Sequence, residues 1–233
     1  MPQPTNFSSG KYTSMFKRTV DEFISHASKY CVGLEGNISV KTENCFLIKA
    51  SGKSLKNSSL YKLVECDLDG NVLNEDNGKP SMEVGFHKFL LGFNDINYVS
   101  HTHPVNTLKI LSSKQSHIFA SHRLFPDQVI FNGKKSCLVP YAKPGDDLTE
   151  MVKEYVNKFI VTEGYFPKII LLQNHGIITC GSSSNECIIA TDICEKAAEI
   201  YVGVRQMQYN FLTSKEVDDL INDEKEKYRQ EQL

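Results

Sequence analysis

Paired apolar runs that stop at turn residues and restart at once constrain the fold of this chain more than any other feature. The plainest is KIILLQNHGIITCG, two apolar strands pinched at Asn174–Gly176. Upstream, ISVKTENCFLIKASG reads as a strand, a turn at Thr42–Asn44 and a second strand ending in Gly52. A strand around 61–67 is followed by Asp-Gly and Asn-Gly steps in DGNVLNEDNGKP, each a turn signal. Residues 117–139 read as short strands and loops. Hairpins leave neighbouring strands antiparallel, whereas parallel neighbours need a long crossover.

Between these pairs the apolar spacing becomes helical. Phe16, Val20, Phe23, Ile24 and Ala27 predict an amphipathic helix over 14–29, broken by CVGLEGN, where Gly33 and Gly36 can take positive φ. PSMEVGFHKFLLGF predicts a helix capped by Ser81 with Phe86, Phe89, Leu90 and Phe93 on its apolar face. A short helix starts near Val105. PGDDLTEMVKEYVNKFI is helical, with Asp146 or Asp147 at the end where the helix dipole favours negative charge. A long helix follows Ser183 or Ser184, and KEVDDLINDEKEKYRQEQL predicts a charge-rich, solvated terminal helix. Hairpins interleaved with helices, without regular β-α-β-α alternation, specify one α/β domain with a mixed, largely antiparallel sheet. We expect a flexible N-terminus over 1–13, the domain over 14–212 and a charged helix or tail over 213–233.

A net charge of −2 offers no basic stripe for nucleic acid or a membrane surface. No run approaches the ~18 apolar residues of a membrane span, and MPQPTNFSSGKY lacks the apolar core of a signal peptide. The seven cysteines show no C-x-x-C spacing and read as buried thiols of a reducing compartment. A cytoplasmic protein is expected.

Chemistry concentrates at NYVSHTHP. Residues i and i+2 of a strand share a face, so His101 and His103 point the same way, and Pro104 ends the ladder. Two such rings can bind one metal or simply close a strand, since a catalytic zinc usually takes three protein ligands. His175 is a third candidate, on a turn that Gly176 lets bend; a core histidine bonded to a carbonyl is its other reading. Glu83 supplies an acid in the first turn of the preceding helix, with His87 one turn on as a supporting group or alternative ligand.

GNISV, IKASG, PSMEVGFH, VSHTHP and LQNHGIITCG, in this order over residues 14–210, resemble the class II aldolase/adducin family. The resemblance implies a single three-layer α/β/α domain on a mainly antiparallel sheet, and a homotetramer with active sites near subunit interfaces. It implies Zn2+, or another divalent metal, on His101, His103 and His175, with Glu83 as the acid that moves the proton. Asn37, Ser51, Gly52 and Ser81 match the substrate-binding positions, where a phosphate would meet exposed N–H groups. Met82 replaces a second serine, which leaves a sugar acid or unphosphorylated ketose open beside a sugar phosphate. The expected reaction is a lyase step of carbohydrate metabolism, reversible retro-aldol cleavage through a metal-stabilised enediolate. A 4-epimerase, a β-keto-acid decarboxylase and a non-catalytic adducin-like scaffold are the alternatives. The tyrosine that the family's aldolases use on the aldehyde side has no counterpart in HIFASHRLFPDQ, where His122, Arg123 and Asp127 are the available substitutes.

Overall fold

A computed structural model describes residues 12–230, so the expectation for 1–13 falls, save its last two residues, outside the described residues. The strands are β1 (Asn37–Lys41), β2 (Cys45–Ile48), β3 (Val64–Asp67), β4 (Val72–Asn74), β5 (Tyr98–Thr102), β6 (Cys137–Val139), β7 (Ile169–Leu172) and β8 (Gly176–Gly181). They form one sheet in the order β4-β3-β2-β1-β5-β8-β7-β6. Only β6 and β7 run parallel; every other neighbouring pair is antiparallel. The two predicted hairpins, β1–β2 and β7–β8, form as read, and β5 is inserted between them.

The helices are α1 (Ser14–Ser28), α2 (Val84–Leu91), α3 (Val105–Leu111), α4 (Ser116–Ser121), α5 (Pro126–Asn132), α6 (Asp146–Glu163), α7 (Ser184–Val204), α8 (Ser214–Asn222) and α9 (Glu224–Gln230). On one face α1, α3 and α5 pack against α7, and on the other α2 packs against α6. Strand alternation feeds both layers. In β1, Ile38 and Val40 join Phe23, Ile24 and Ala27 of α1. The intervening Asn37, Ser39 and Lys41 turn toward α2, where Ser39 meets His87 and the Lys41 ammonium donates to the Leu91 carbonyl. Phe46, Ile48, Val99 and Ile178 bury against Phe86, Leu90 and Val152 on the α2–α6 side. Ile169, Leu171 and Ile177 face Ala190, Cys194 and Ala197 of α7. All seven cysteines are buried. No helix among the described residues is long and apolar enough to cross a membrane.

Three expectations change. Residues 117–139 are mainly helical, as α4 and α5, and only Cys137–Val139 is a strand. β-Branched residues such as Val129 and Ile130 fit a strand, but Pro126 opens the helix, Asp127 lies in its first turn, and Gly133 at φ 77° stops it. The helix after Ser81 begins three residues later, at Val84, with Glu83 at its N-cap position making no side-chain cap. The terminal segment is two helices separated at Asp223, with no residue buried in either.

Candidate metal centre

The antiparallel register sets Asn37 of β1 opposite His101 of β5, and Ile178 of β8 on its other side. His103 lies one residue beyond β5, and the β7–β8 turn presents His175 beside both. Their ring nitrogens can be chosen so that all lie within 4.8 Å of one another. His101 Nε2 and His103 Nε2 are 3.1 Å apart. Glu83 completes the cluster, with Oε2 at 3.5 Å from His101 Nε2 and Oε1 at 3.6 Å from His175 Nε2. The strand pair, the turn histidine and the acid proposed from sequence therefore meet in one place.

The turn that carries His175 is built differently from the sequence expectation. Asn174, at φ 55°, is its left-handed residue, and Gly176 has no positive φ. Gly176 is required by close approach: a Cβ there would lie 2.5 Å from the Thr102 carbonyl oxygen and 2.6 Å from the His103 ring.

A buried polar chain aims the carboxylate. The Ser39 hydroxyl lies 2.7 Å from His87 Nδ1. His87 Nε2 makes a short contact with Asn37 Oδ1. Asn37 Nδ2 then donates to Glu83 Oε2 at 2.7 Å and to Ser81 Oγ at 3.1 Å. Because an ionised carboxylate only accepts, the Asn37 amide must present its NH2 to Glu83 and its oxygen to His87. That makes His87 the Nε2–H tautomer, accepting from Ser39. His87 is thus spent behind the cluster as a support, and both functional ends of Asn37 are taken. Of the other positions expected to bind substrate, Ser81 is buried, and Ser51 and Gly52 are exposed on a turn tied to it. Ser51 N donates to Lys79 O at 2.9 Å and Ser81 N to Lys49 O at 3.0 Å. Met82 beside them is exposed.

The donor set fits a divalent cation. His101 Nδ1 donates to the Ile177 carbonyl at 2.9 Å, which leaves its Nε2 lone pair aimed into the cluster. Glu83 Oε1 and His175 Nδ1 are buried polar atoms without hydrogen-bond partners, and such atoms need an explanation. Burial holds His101 well below the usual histidine range, with the neighbouring His103 and His175 adding to the effect. Burial also lowers His103 and His175, against the opposing pull of Glu35 and Glu83 on each. Neutral rings are the ligating form, so the cluster is preset for metal at neutral pH.

The same shifts predict a pH dependence of the metal-free protein. His87 and His101 are 0% exposed, and burial keeps both well below the ordinary value. Unfolded, each ring takes its proton near pH ~6.5. Below that pH the unfolded chain binds more protons than the folded one, so stability falls as pH falls. The expected slope approaches about 1.4 kcal/mol per pH unit for each ring. Urea unfolding of chelator-treated protein between pH 5 and pH 8 checks this; a midpoint that does not drop below pH 6.5 contradicts it.

The other candidates, His122, Arg123 and Asp127, lie elsewhere or are occupied, and so are Tyr201 and His26. Arg123 is 1% exposed, and its guanidinium donates to the Gly133 and His122 carbonyls and to Ser136 Oγ. Asp127 pairs with Arg229. His122 lies on Phe211, and Tyr201 packs with Tyr209 and donates its hydroxyl to Gln115. His26 meets Asp192. Sequence reasoning missed Lys49. It is 3% exposed, donates to the Leu34 carbonyl, and is lowered by burial against the pull of Cys31 and Glu83. Its place in an otherwise apolar strand, CFLIKA, was the available signal.

Residues 24–202 match the family model described as Class II Aldolase and Adducin N-terminal domain. The chain is 30% identical over 197 residues to 3-oxo-tetronate 4-phosphate decarboxylase of Haemophilus influenzae, covering 83% of this chain and 89% of that protein. It is also 30% identical over 174 residues to L-fuculose phosphate aldolase of Methanococcus maripaludis, covering 74% and 87%. Among solved structures, YgbL of Escherichia coli superposes with a TM-score of 0.73 at 26% identity, over 88% of this chain and 99% of that one.

Proposed function

Because the chain belongs to the class II aldolase/adducin family, we propose that it is a metal-dependent carbon–carbon lyase acting on a phosphorylated sugar or sugar acid by retro-aldol cleavage. The observation that carries this reading is the convergence of three imidazoles with one carboxylate that has a buried oxygen free of hydrogen bonds.

His101, His103 and His175 would hold the cation, and Glu83 stands against two of them. A divalent cation supplies Lewis acidity toward the negative charge that grows on the substrate oxygens as the bond breaks. Glu83 does the proton work. Asn37 fixes Oε2, which leaves Oε1 to take the proton from the hydroxyl on the departing carbon. The electron pair of the broken bond passes into the adjacent carbonyl, leaving an enediolate and releasing an aldehyde. The same carboxyl then returns its proton to carbon. On the exposed Ser51–Gly52 turn, next to Ser81, a phosphate would meet the Gly52 N–H and the Ser51 hydroxyl, since the Ser51 N–H is spent on the Lys79 carbonyl.

Decarboxylation is the second reading, and a specific observation favours it. Retro-aldol cleavage asks two proton transfers of Glu83 unless a second group serves the departing aldehyde. His122, Arg123 and Asp127 are engaged with Phe211, the Gly133 carbonyl and Arg229, whereas loss of CO2 needs only the proton returned to carbon. The relative from Haemophilus influenzae is named for that reaction. Product analysis on matched ketose phosphates and 3-oxo-acid phosphates separates the two. Retro-aldol cleavage yields two fragments without gas, whereas the second reading yields CO2 and a single ketone. A chain that yields neither from either panel is not the lyase proposed.

A further inference from the structure

The segment Cys31–Gly36 lies beside the two strand-end histidines and is anchored at several points. His103 N donates to the Tyr30 carbonyl at 3.1 Å, just before the segment begins. Glu35 N donates to Val32 O at 3.2 Å, and Val32 N donates back to Glu35 Oε2 at 2.8 Å. The buried Lys49 ammonium anchors the Leu34 carbonyl at 2.7 Å. Gly36, at φ 63°, lets the chain close on β5; a Cβ there would stand 2.7 Å from the His101 carbonyl oxygen. The result is a carboxylate oxygen of Glu35, fixed by its own loop, 3.6 Å from His103 Nδ1.

That position bears on which nitrogen of His103 carries its proton. His101 Nε2 is a lone pair, because His101 Nδ1 donates to Ile177. His103 Nε2, 3.1 Å away, can donate to it or present a second lone pair. Donation would leave the Nδ1 lone pair facing the Glu35 carboxylate, a repulsive arrangement. With the proton on Nδ1, the charge of Glu35 is complemented and Nε2 is released toward the space between the three rings. Carboxylate groups behind ligating histidines act in this way in metal sites generally.

We propose that Glu35 is a positioning residue for His103, holding it in the Nδ1–H tautomer so that Nε2 is the ligating atom. The proposal rests on the reading of His101, His103 and His175 as a cation site. Neither the spacing of the ligands nor their identity in the sequence marks Glu35.

Two measurements test it. Nitrogen-15 shifts of the metal-free protein report the His103 tautomer directly: Nδ1–H is expected in the wild type, and a shift toward Nε2–H in E35A. Chelator competition with Zn2+ then gives affinities. E35A is expected to weaken binding by about 10- to 100-fold, with E35Q, a neutral acceptor, recovering part of the loss. In an H103A background E35A should cause no further loss. Stoichiometric wild-type binding with E35A unchanged overturns this inference alone, as does an E35A loss that persists in H103A, which would make Glu35 a direct ligand. Failure of the wild type to bind Zn2+ overturns the cation site and the inference with it.

Discussion

Replacing Glu83 by glutamine is expected to lower turnover by about 10²- to 10⁴-fold, the range set by loss of a positioned proton-transfer group, while the protein folds and keeps its metal. Glutamine has the shape of the native side chain, and its oxygen can still accept from Asn37 Nδ2, now 2.7 Å from Oε2. The NH2 end then occupies the place of Oε1, facing His175, where it can donate but cannot take a proton. The backbone of β5 and of the β7–β8 turn, which carries the three rings, is paired without Glu83, so their nitrogens are still offered. Metal content of E83Q near that of wild type, with turnover collapsed, is the expected pair of results. Wild-type turnover in E83Q would remove Glu83 from the chemistry.

Gly176→Ala is expected to be a severely damaging one-methyl change. The added Cβ would lie 2.5 Å from the Thr102 carbonyl oxygen and 2.6 Å from the His103 ring. Neither neighbour yields easily: one is backbone of the central strand β5, the other a half-buried ring beside two more. Separating β5 from β8 is the remaining response, at a cost at or above the upper end of the roughly 1–3 kcal/mol typical of overpacking. Because the end of β5 and the turn before β8 carry the candidate ligands, cation affinity should fall along with stability. Gly203→Ala is the control. It lies in α7 with nothing within 4 Å of a new Cβ, and alanine is favoured over glycine in a helix by up to about 1 kcal/mol. Urea unfolding and Zn2+ competition on the two variants should move in opposite directions or, for Gly203→Ala, not move at all.

Much of this was legible in the sequence because it follows from local periodicity. Apolar runs stopped by turn residues placed the strands of both hairpins, and the i, i+2 rule put His101 and His103 on one side of the strand end. Turn chemistry was less transparent. Gly176 was assigned a bend that Asn174 makes, because sequence does not distinguish a glycine needed for positive φ from one needed for close approach. Residues 117–139 were read as short strands and loops; within them Val129 and Ile130 fit a strand as well as a helix, and it is their burial with Gln128 and Asn132 along α5 that goes with the helix. The network around Glu83 was out of reach for another reason. Asn37, Ser81 and His87 contact one another only after β1 pairs with β5 and α2 folds over β1, and no local pattern encodes that meeting. Glu35 and Lys49 are hidden in the same way, since each acts through a neighbour distant in sequence.

The central claim is that carbon–carbon cleavage takes place at the three-histidine cluster and depends on a cation held there. The most direct measurement is metal content of the purified protein, followed by cleavage of a sugar-phosphate and sugar-acid phosphate panel before chelation, after it, and after adding back Zn2+. The account predicts one divalent ion per chain, loss of cleavage on chelation and its return with the metal. Cleavage that persists in fully chelated protein, or that survives in His175→Ala, would contradict it.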